Sequence, residues 1–287
     1  VSGDPLQDLV GLPGVADAVE AARASCEELR WHEAFRRRWR EVRAESGLHA
    51  ARASAQLDGA RVPLDVLRSW ATGTAAGPGA GGRGADPADA LALGALRAQA
   101  VVERALPDLG GRAPASSVAL PQLLARLHTA AAADLLPAAA VGRPRDGDAQ
   151  DLRGLGAAPS PEQAAARTGA LVEVVAASTA PALVVAAVVH AELLVVRPFA
   201  AGNGVVARAA ARWLLTVRGL DPTGTVLAEP VWADVPAAYL AGAARFATGT
   251  PEGVAAWLVG YAEAVRSGAA RARVVADAVL AGRLPVT

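Results

Sequence analysis

The sequence predicts an all-α fold with at most a short β-hairpin flap. Three observations carry this. Aromatic residues make up only 4% of the chain and apolar residues seldom alternate with polar ones, so the period-2 signature of strands is weak. Helix-start signals recur: Asp86-Pro87, Ser160-Pro161-Glu162-Gln163 and Thr250-Pro251-Glu252 each set a capping side chain before a proline suited to the first helical position. Hydrophobic residues reach 53% of 287, enough to bury a sizeable core in one large domain or two small ones.

In chain order, residues 1–14 read as a flexible N-terminus, 15–110 as an N-terminal helical region, and 111–287 as a helical core with C-terminal helices. The first long helix is expected over 15–44. Arg and Glu alternate there around Trp31, Phe35 and Trp39, whose four-residue spacing puts them on one face. Helices over 46–58 and 63–71 follow, then a flexible low-complexity loop, "ATGTAAGPGAGGRGA", at 71–85. Asp86 caps the next helix. A helix near 117–136 leads into a loop over 137–159 rich in Gly, Pro, Arg and Asp. The Ser160 capping box opens a helix to 178, and Pro181 opens an apolar one. A helix over 204–218 ended by Gly219, two helices capped by Asp234 and Thr250, and a last helix over 269–280 complete the chain.

Basic and acidic residues balance at 28 each, which argues against a dedicated nucleic-acid binder. The basic run at 36–41, "RRRWRE", is interleaved with Glu33, Glu41 and Glu45 and reads as a solvated, self-paired helix face. Trp31, Phe35 and Trp39 read as core or a helix–helix seam; exposed, they would serve a homodimer interface. Lys, Ile and Met are absent and every basic residue is Arg, as a GC-rich genome would produce. Cys26 is single, so there is no disulfide framework. The longest apolar run, 181–196, is interrupted by His190 and Glu192 and is shorter than the ~18–20 residues of a membrane span. With no basic and apolar leader in "VSGDPLQDLVGLPG", a cytoplasmic location is expected.

Against this alphabet one stretch stands out: "RPFAAGNGVVAR", residues 197–208, which holds Asn203, the only asparagine. A Gly-Asn-Gly turn feeding a helix points free backbone N–H groups at one spot, and the helix dipole makes that spot electropositive. Gly202 and Gly204 allow positive φ and close approach of a ligand, and Asn tolerates the left-handed region. Arg208 lies one helical turn past Gly204, so its guanidinium reaches toward the same mouth. The residues alone describe an anion site, or else an ordinary helix-start turn.

This stretch resembles the motif of the Fic (Fic/DOC) family, His-Pro-Phe-x-Asp/Glu-Gly-Asn-Gly-Arg-x-x-Arg. Pro198, Phe199, Gly202, Asn203, Gly204 and Arg208 match it. The preceding apolar helix with His190, "LLARLH" at 123–128 and the 239–257 stretch also resemble the family. A second motif, Ser/Thr-x-x-x-Glu-Gly/Asn in self-inhibited members, is matched by "SAQLDG", Ser54 to Gly59, with Asp58 where Glu is usual. The resemblance spans 15–265 and implies a Fic-like helical domain with an N-terminal inhibitory-type helix. It also implies AMP transfer from ATP to hydroxyls of a protein target, and an inhibitory trio of Ser54, Asp58 and Gly59 in which Asp58 pairs with Arg208.

The departures fall on the chemistry. The family's base is His; here it is Arg197, which stays protonated and cannot take a proton. The family's acidic Mg²⁺ ligand is Ala201, which offers no oxygen. The first family Arg is Val205. ATP is the nucleotide the resemblance implies, the cofactor itself stays unassigned, and Ala201 speaks against Mg²⁺. Arg197, Phe199, Gly202, Asn203, Gly204 and Arg208 are the expected phosphate- or nucleotide-binding residues, with no catalytic residue and no metal ligand among them. His190 lies too far along its helix for direct proton transfer at position 197 and reads, like His128, as a satisfied core histidine. His32 and His49 lack acidic partners at metal spacing. Arg143, Arg145 and Arg153 occupy the loop where the family aligns its target peptide and read as solubilising.

Three functions stay open: a degenerate Fic-fold protein that keeps a phosphate- or nucleotide-binding or regulatory role without AMP transfer; an enzyme of the same fold with altered transfer chemistry; and a structural or interaction protein with a closed pocket. Arg197 and Arg208 pointing into an open cradle would favour the first. An Asp58–Arg208 pair closing it would favour the third.

Overall fold

The computed structural model describes residues 3–77, 86–110 and 118–283, except the side chain of Arg153. The helices in order are α1 (Pro5–Asp8), α2 (Val15–Arg30), α3 (Ala34–Arg37), α4 (Trp39–Leu57), α5 (Leu64–Thr72), α6 (Pro87–Ala105), α7 (Leu120–Ala132), α8 (Pro161–Ala177), α9 (Ala182–Val196), α10 (Asn203–Val217), α11 (Ala228–Asp234), α12 (Pro236–Phe246) and α13 (Pro251–Leu280). Two short 3-10 turns, Leu9–Gly11 and Arg153–Leu155, complete them, and no strand occurs among the described residues. The fold is all-α, as expected.

Helix α9 is the axis. Its side chains are apolar all round, and residues from Leu183 to Val196 are almost all buried. A helix without a polar face has to be enclosed on every side. α10 lies along it, and α8, α12 and α13 cover the rest. α4 and α6 pack against each other and both bury small side chains, Ala51 and Ala55 on α4, Ala92 and Ala95 on α6; α7 lies against α6. α13 runs against α2 and braces α11 and α12.

Local signals placed several ends correctly. Asp86 Oδ1 accepts from Ala88 N at 2.8 Å, Thr250 Oγ1 accepts from Gly253 N at 3.1 Å, and the Ser160–Gln163 capping box is complete. Other expectations need correcting. The long helix expected over 15–44 breaks at 31–33 and again at Arg38. His32 turns its ring back so that Nδ1 accepts from Ala34 N at 3.2 Å, while Nε2 meets Asp277 on α13 at 3.0 Å. The three aromatics therefore share no face: Trp31 is 69% exposed, Phe35 is buried, and Trp39 lies under the guanidiniums of Arg40 and Arg43.

Asp234 ends α11 and pairs with Arg271 rather than capping the next helix. The last helix begins at Pro251, not at 269; Gly268 sits mid-helix where the α11 entry packs, and a Cβ there would lie 2.7 Å from the Leu227 carbonyl carbon. The N-terminus, expected to be flexible, is tied down over residues 3–14. Asp4 caps α1 and accepts from Thr179 N at 2.7 Å and Ser178 Oγ at 2.9 Å. Of the expected 71–85 loop, residues 78–85 lie outside the described residues, as does position 117 at the expected start of α7. No helix among the described residues is long and apolar enough to cross a membrane.

Candidate functional site

The connection from α9 to α10 carries the singular asparagine. α9 stops because Arg197 turns left-handed, φ 48° and ψ 67°, and α10 starts because Gly202 does the same at φ 77°. Asn203 staples the turn between them. Its Oδ1 accepts from Phe199 N at 3.0 Å and its Nδ2 donates to Phe199 O at 2.9 Å. The amide carries an acceptor and a donor on two separate atoms of one short side chain, which neither the carboxylate of Asp nor the single hydroxyl of Ser does.

The loop is held from outside as well. Arg145 N donates to Pro198 O at 2.9 Å and Gln150 N to Ala200 O at 2.7 Å. The Arg145 side chain is buried and donates to the carbonyls of Arg197 (2.7 Å), Gly147 (2.7 Å) and Pro159 (2.5 Å). It is a structural staple rather than a solubilising charge, a correction to the sequence reading; the side chain of Arg153 lies outside the described residues.

Beneath the loop, His128 stacks on Phe199 at 4.0 Å between ring centroids. Its Nδ1 accepts from Gly142 N at 2.9 Å, so the proton sits on Nε2, which donates to Ala201 O at 3.2 Å. Burial holds its pKa down at about 4, so the ring is neutral at pH 7.

The expected binding residues do not all converge. The Arg197 guanidinium turns from the cradle and donates to Gly156 O at 2.9 Å and Leu152 O at 3.2 Å. Arg208 is fully enclosed. Its Nε donates to Ser54 Oγ at 2.8 Å, its Nη2 to Ser54 O at 3.0 Å, and its Nη1 to Tyr239 Oη at 3.5 Å. Asp58 closes the constellation, its Oδ1 lying 2.8 Å from Arg208 Nη2. Burial opposes the charge on Arg208, but Asp58 beside it outweighs that and raises its pKa. Gly59 follows in the left-handed region at φ 99°, which ends the α4 region and turns the chain away. Ser54, Asp58 and Arg208 thus meet across α4 and α10.

Gly204 is where the carboxylate comes closest to the helix start. A Cβ there would lie 2.5 Å from Asp58 Oδ1 and 2.8 Å from Oδ2. On the other side, Asp151 takes Asn203 by both donors: backbone N to Oδ2 at 2.7 Å and Nδ2 to Oδ1 at 2.8 Å. Burial raises the Asp151 pKa, Asn203's two hydrogen bonds oppose that, and the charge of Asp58 adds to the rise. The electropositive start of α10 is therefore covered by two of the chain's own carboxylates.

Sequence reasoning missed Asp151, Arg145, His128 and Tyr239 as parts of this site. The "LLARLH" resemblance was the one signal toward His128; nothing local marks Asp151 within "DAQDLRG". His190 sits below, wholly buried, and Tyr239 Oη lies 2.7 Å from its Nε2. Burial first, and then the charge of Arg208, push the His190 pKa well down.

Residues 119–215, which hold this loop and both helices around it, match the family model described as Fic/DOC family. This segment of the chain is similar to the Fic/DOC family. Its fold is similar to that of a Fic family protein from Desulfovibrio desulfuricans G20, with TM-score 0.70 and 17% identity over 93% of this chain and 75% of that one. Fic-1 from C. elegans is similar at TM-score 0.65 and 17% identity, covering 93% and 73%. A Fic domain containing signaling protein from Bacteroides thetaiotaomicron VPI-5482 is similar at TM-score 0.66 and 14% identity, covering 91% and 98%. No curated protein sequence matches the chain significantly. Fic-fold proteins generally transfer nucleotide or phosphate groups.

The family's Mg²⁺ does not fit the donors present here. Ala201 has no oxygen in its side chain, and Asp58 and Asp151 are committed to Arg208 and Asn203. Among the described residues no group of three or more His, Cys, Asp or Glu is placed to hold a metal ion.

Proposed function

We propose that this chain is a Fic-fold protein that does not transfer AMP, and that its phosphate cradle is kept closed by Asp58 and Asp151 as a regulated nucleotide- or phosphate-binding module. One observation carries the reading: both carboxylates occupy groups that bind anions, Asp58 on Arg208 and Asp151 on the Asn203 donors at the start of α10. A helix start with a buried guanidinium beside it favours negative charge. The protein supplies that charge itself, so a phosphate has to displace it.

The residues at the reacting positions support the absence of transfer. Arg197 cannot act as a base and is bound to backbone carbonyls. His128 has both ring nitrogens engaged by backbone, and His190 is sealed beneath Tyr239. Neither stands in for the motif histidine, which weakens the reading of an enzyme with altered chemistry. The structural reading keeps a specific observation in its favour: Arg197 and Arg208 both donate to groups of the protein itself.

The test is calorimetric titration of ATP, with and without Mg²⁺, into the wild type, Asp58→Ala, Asp151→Ala and the double variant, each checked for retained helicity. Labelled-ATP transfer is followed in parallel. The variants are expected to bind ATP more tightly than the wild type, and none to transfer AMP. Transfer by the wild type would overturn the silent reading. A folded double variant that binds ATP no more tightly than the wild type would leave the closed scaffold in its place.

A further inference from the structure

We propose a second anion site, outside the cradle, that takes a small organic phosphate in the open cavity beside the α4–α5 turn. Arg52, Gln56, Arg61, Val62 and Pro63 line this cavity, whose volume is ≈ 370 Å³. That lies within the roughly 300–1,000 Å³ of small-molecule sites. Arg52 and Gln56 are one turn apart on α4 and therefore share a side of it. Arg61 arrives from beyond the Gly59 turn and is exposed.

Most of the buried arginines of this protein are held by backbone carbonyls. Arg43, Arg145, Arg197, Arg208 and Arg212 each donate to backbone carbonyls. Among the described residues, Arg52 and Arg61 have neither a hydrogen-bond acceptor nor an ion-pair partner. Arg52 Nε is shut off from solvent and still unpaired. An unmet buried donor is costly, and a guanidinium N–H most so. The cavity lining contains no acidic side chain to meet it, in contrast to the cradle, where Asp58 and Asp151 do so.

Two guanidiniums supply donors, the Gln56 amide, whose Nε2 already donates to Ala233 O at 3.4 Å, borders them, and Val62 and Pro63 supply an apolar wall. Phosphate oxygens match the fork geometry of Arg, and the wall suits the organic body attached to them. α5 begins at Leu64, directly after Pro63, with no side chain capping its first turn, so its dipole adds to the same field; Asp65 in that turn is the opposing charge. Occupancy would brace the end of α4 that seats Ser54 and Asp58. The site itself does not depend on how the cradle is read.

The experiment titrates inorganic phosphate and AMP into the full chain at low salt, followed by calorimetry and melting temperature. It compares wild type with Arg61→Gln, Arg52→Gln/Arg61→Gln, and Asp58→Ala/Asp151→Ala. Both probes are expected to bind the wild type, AMP more tightly. The double Arg variant should weaken binding at least about tenfold and Arg61→Gln, at an exposed position, by a smaller factor. In the cradle variants any added binding step belongs to α10 and is read separately from this one. Binding equal in wild type and the Arg variants would overturn the site, as would no binding of either probe. So would binding that changes only in the cradle variants, which would place the ligand at α10.

Discussion

Asp151 grips Asn203 from the loop side by two hydrogen bonds, backbone N to Oδ2 at 2.7 Å and Nδ2 to Oδ1 at 2.8 Å. The same asparagine holds Phe199 by its backbone N and O. One side chain thus fixes the shape of the loop and receives the carboxylate that covers it.

Asn203→Ala should cost about 2–4 kcal/mol of stability, because it strands the Phe199 amide and carbonyl and half of the Asp151 contact. Asn203→Asp should cost at least as much at neutral pH, since an oxygen would then face both Phe199 O and Asp151. Urea denaturation of the two variants checks this, and a change under about 0.5 kcal/mol in both would mean the turn is held elsewhere.

Removing Asp151 uncovers donors that an anion can take. Sulfate at low millimolar concentration should raise the melting temperature of Asp151→Ala more than that of the wild type. The pH dependence has a definite sign. Burial raises the folded-state pKa of Asp151 above 3.8, so its contribution to stability is full below that value and is lost as pH rises through the folded value. The stability of Asp151→Asn relative to wild type should therefore increase as pH rises.

Asp58→Ala leaves the fully enclosed Arg208 without its counter-charge and should cost about 3–5 kcal/mol. Asp58→Ala/Arg208→Met should recover much of that loss, because no buried charge remains. A gentler probe is Gly204→Ala, whose Cβ would sit 2.5 Å from Asp58 Oδ1 and so has to displace the carboxylate. Chemical denaturation of the set checks the order; a double variant no better than Asp58→Ala would sink the argument.

His128 should give the protein an acid-sensitive step. Its pKa is 6.5 in its ordinary state and about 4 when folded, owing to burial. A depressed folded pKa contributes stability that is present above 6.5 and lost as pH falls toward 4. The shift corresponds to about 3 kcal/mol. His128→Gln, which keeps a donor and an acceptor, should flatten that part of the profile. Parallel slopes in variant and wild type between pH 7 and 4.5 would refute the assignment.

The fold and part of the site were legible because their signals are local. Ser160 with Gln163, Thr250 and Asp86 cap helices within their own first turns, and the all-apolar α9 announces a central helix. Ser54, Asp58 and Arg208 were placed by resemblance to a spaced pair of motifs, and they meet in the structure. What failed depends on partners far along the chain. The break after Arg30 is fixed by His32 reaching Asp277, 245 residues away. Gly268 looked like a helix boundary but is required by the close approach of the Leu227 backbone. Asp151 lies in a polar loop, and only the folding of that loop onto α10 gives it a partner.

The two carboxylates over α10 also have a consequence for how the cradle answers to its surroundings. A competitor that is part of the chain has an effective concentration set by geometry, not by how much protein is present. Dilution, dialysis and purification leave it in place. On the proposed reading the cradle is therefore insensitive to the abundance of the protein, and a free phosphate would gain access only in proportion to how often the 145–156 segment or the end of α4 moves away. Whatever shifts either segment sets the apparent affinity, so the threshold for occupancy is written in the stability of two short pieces of backbone.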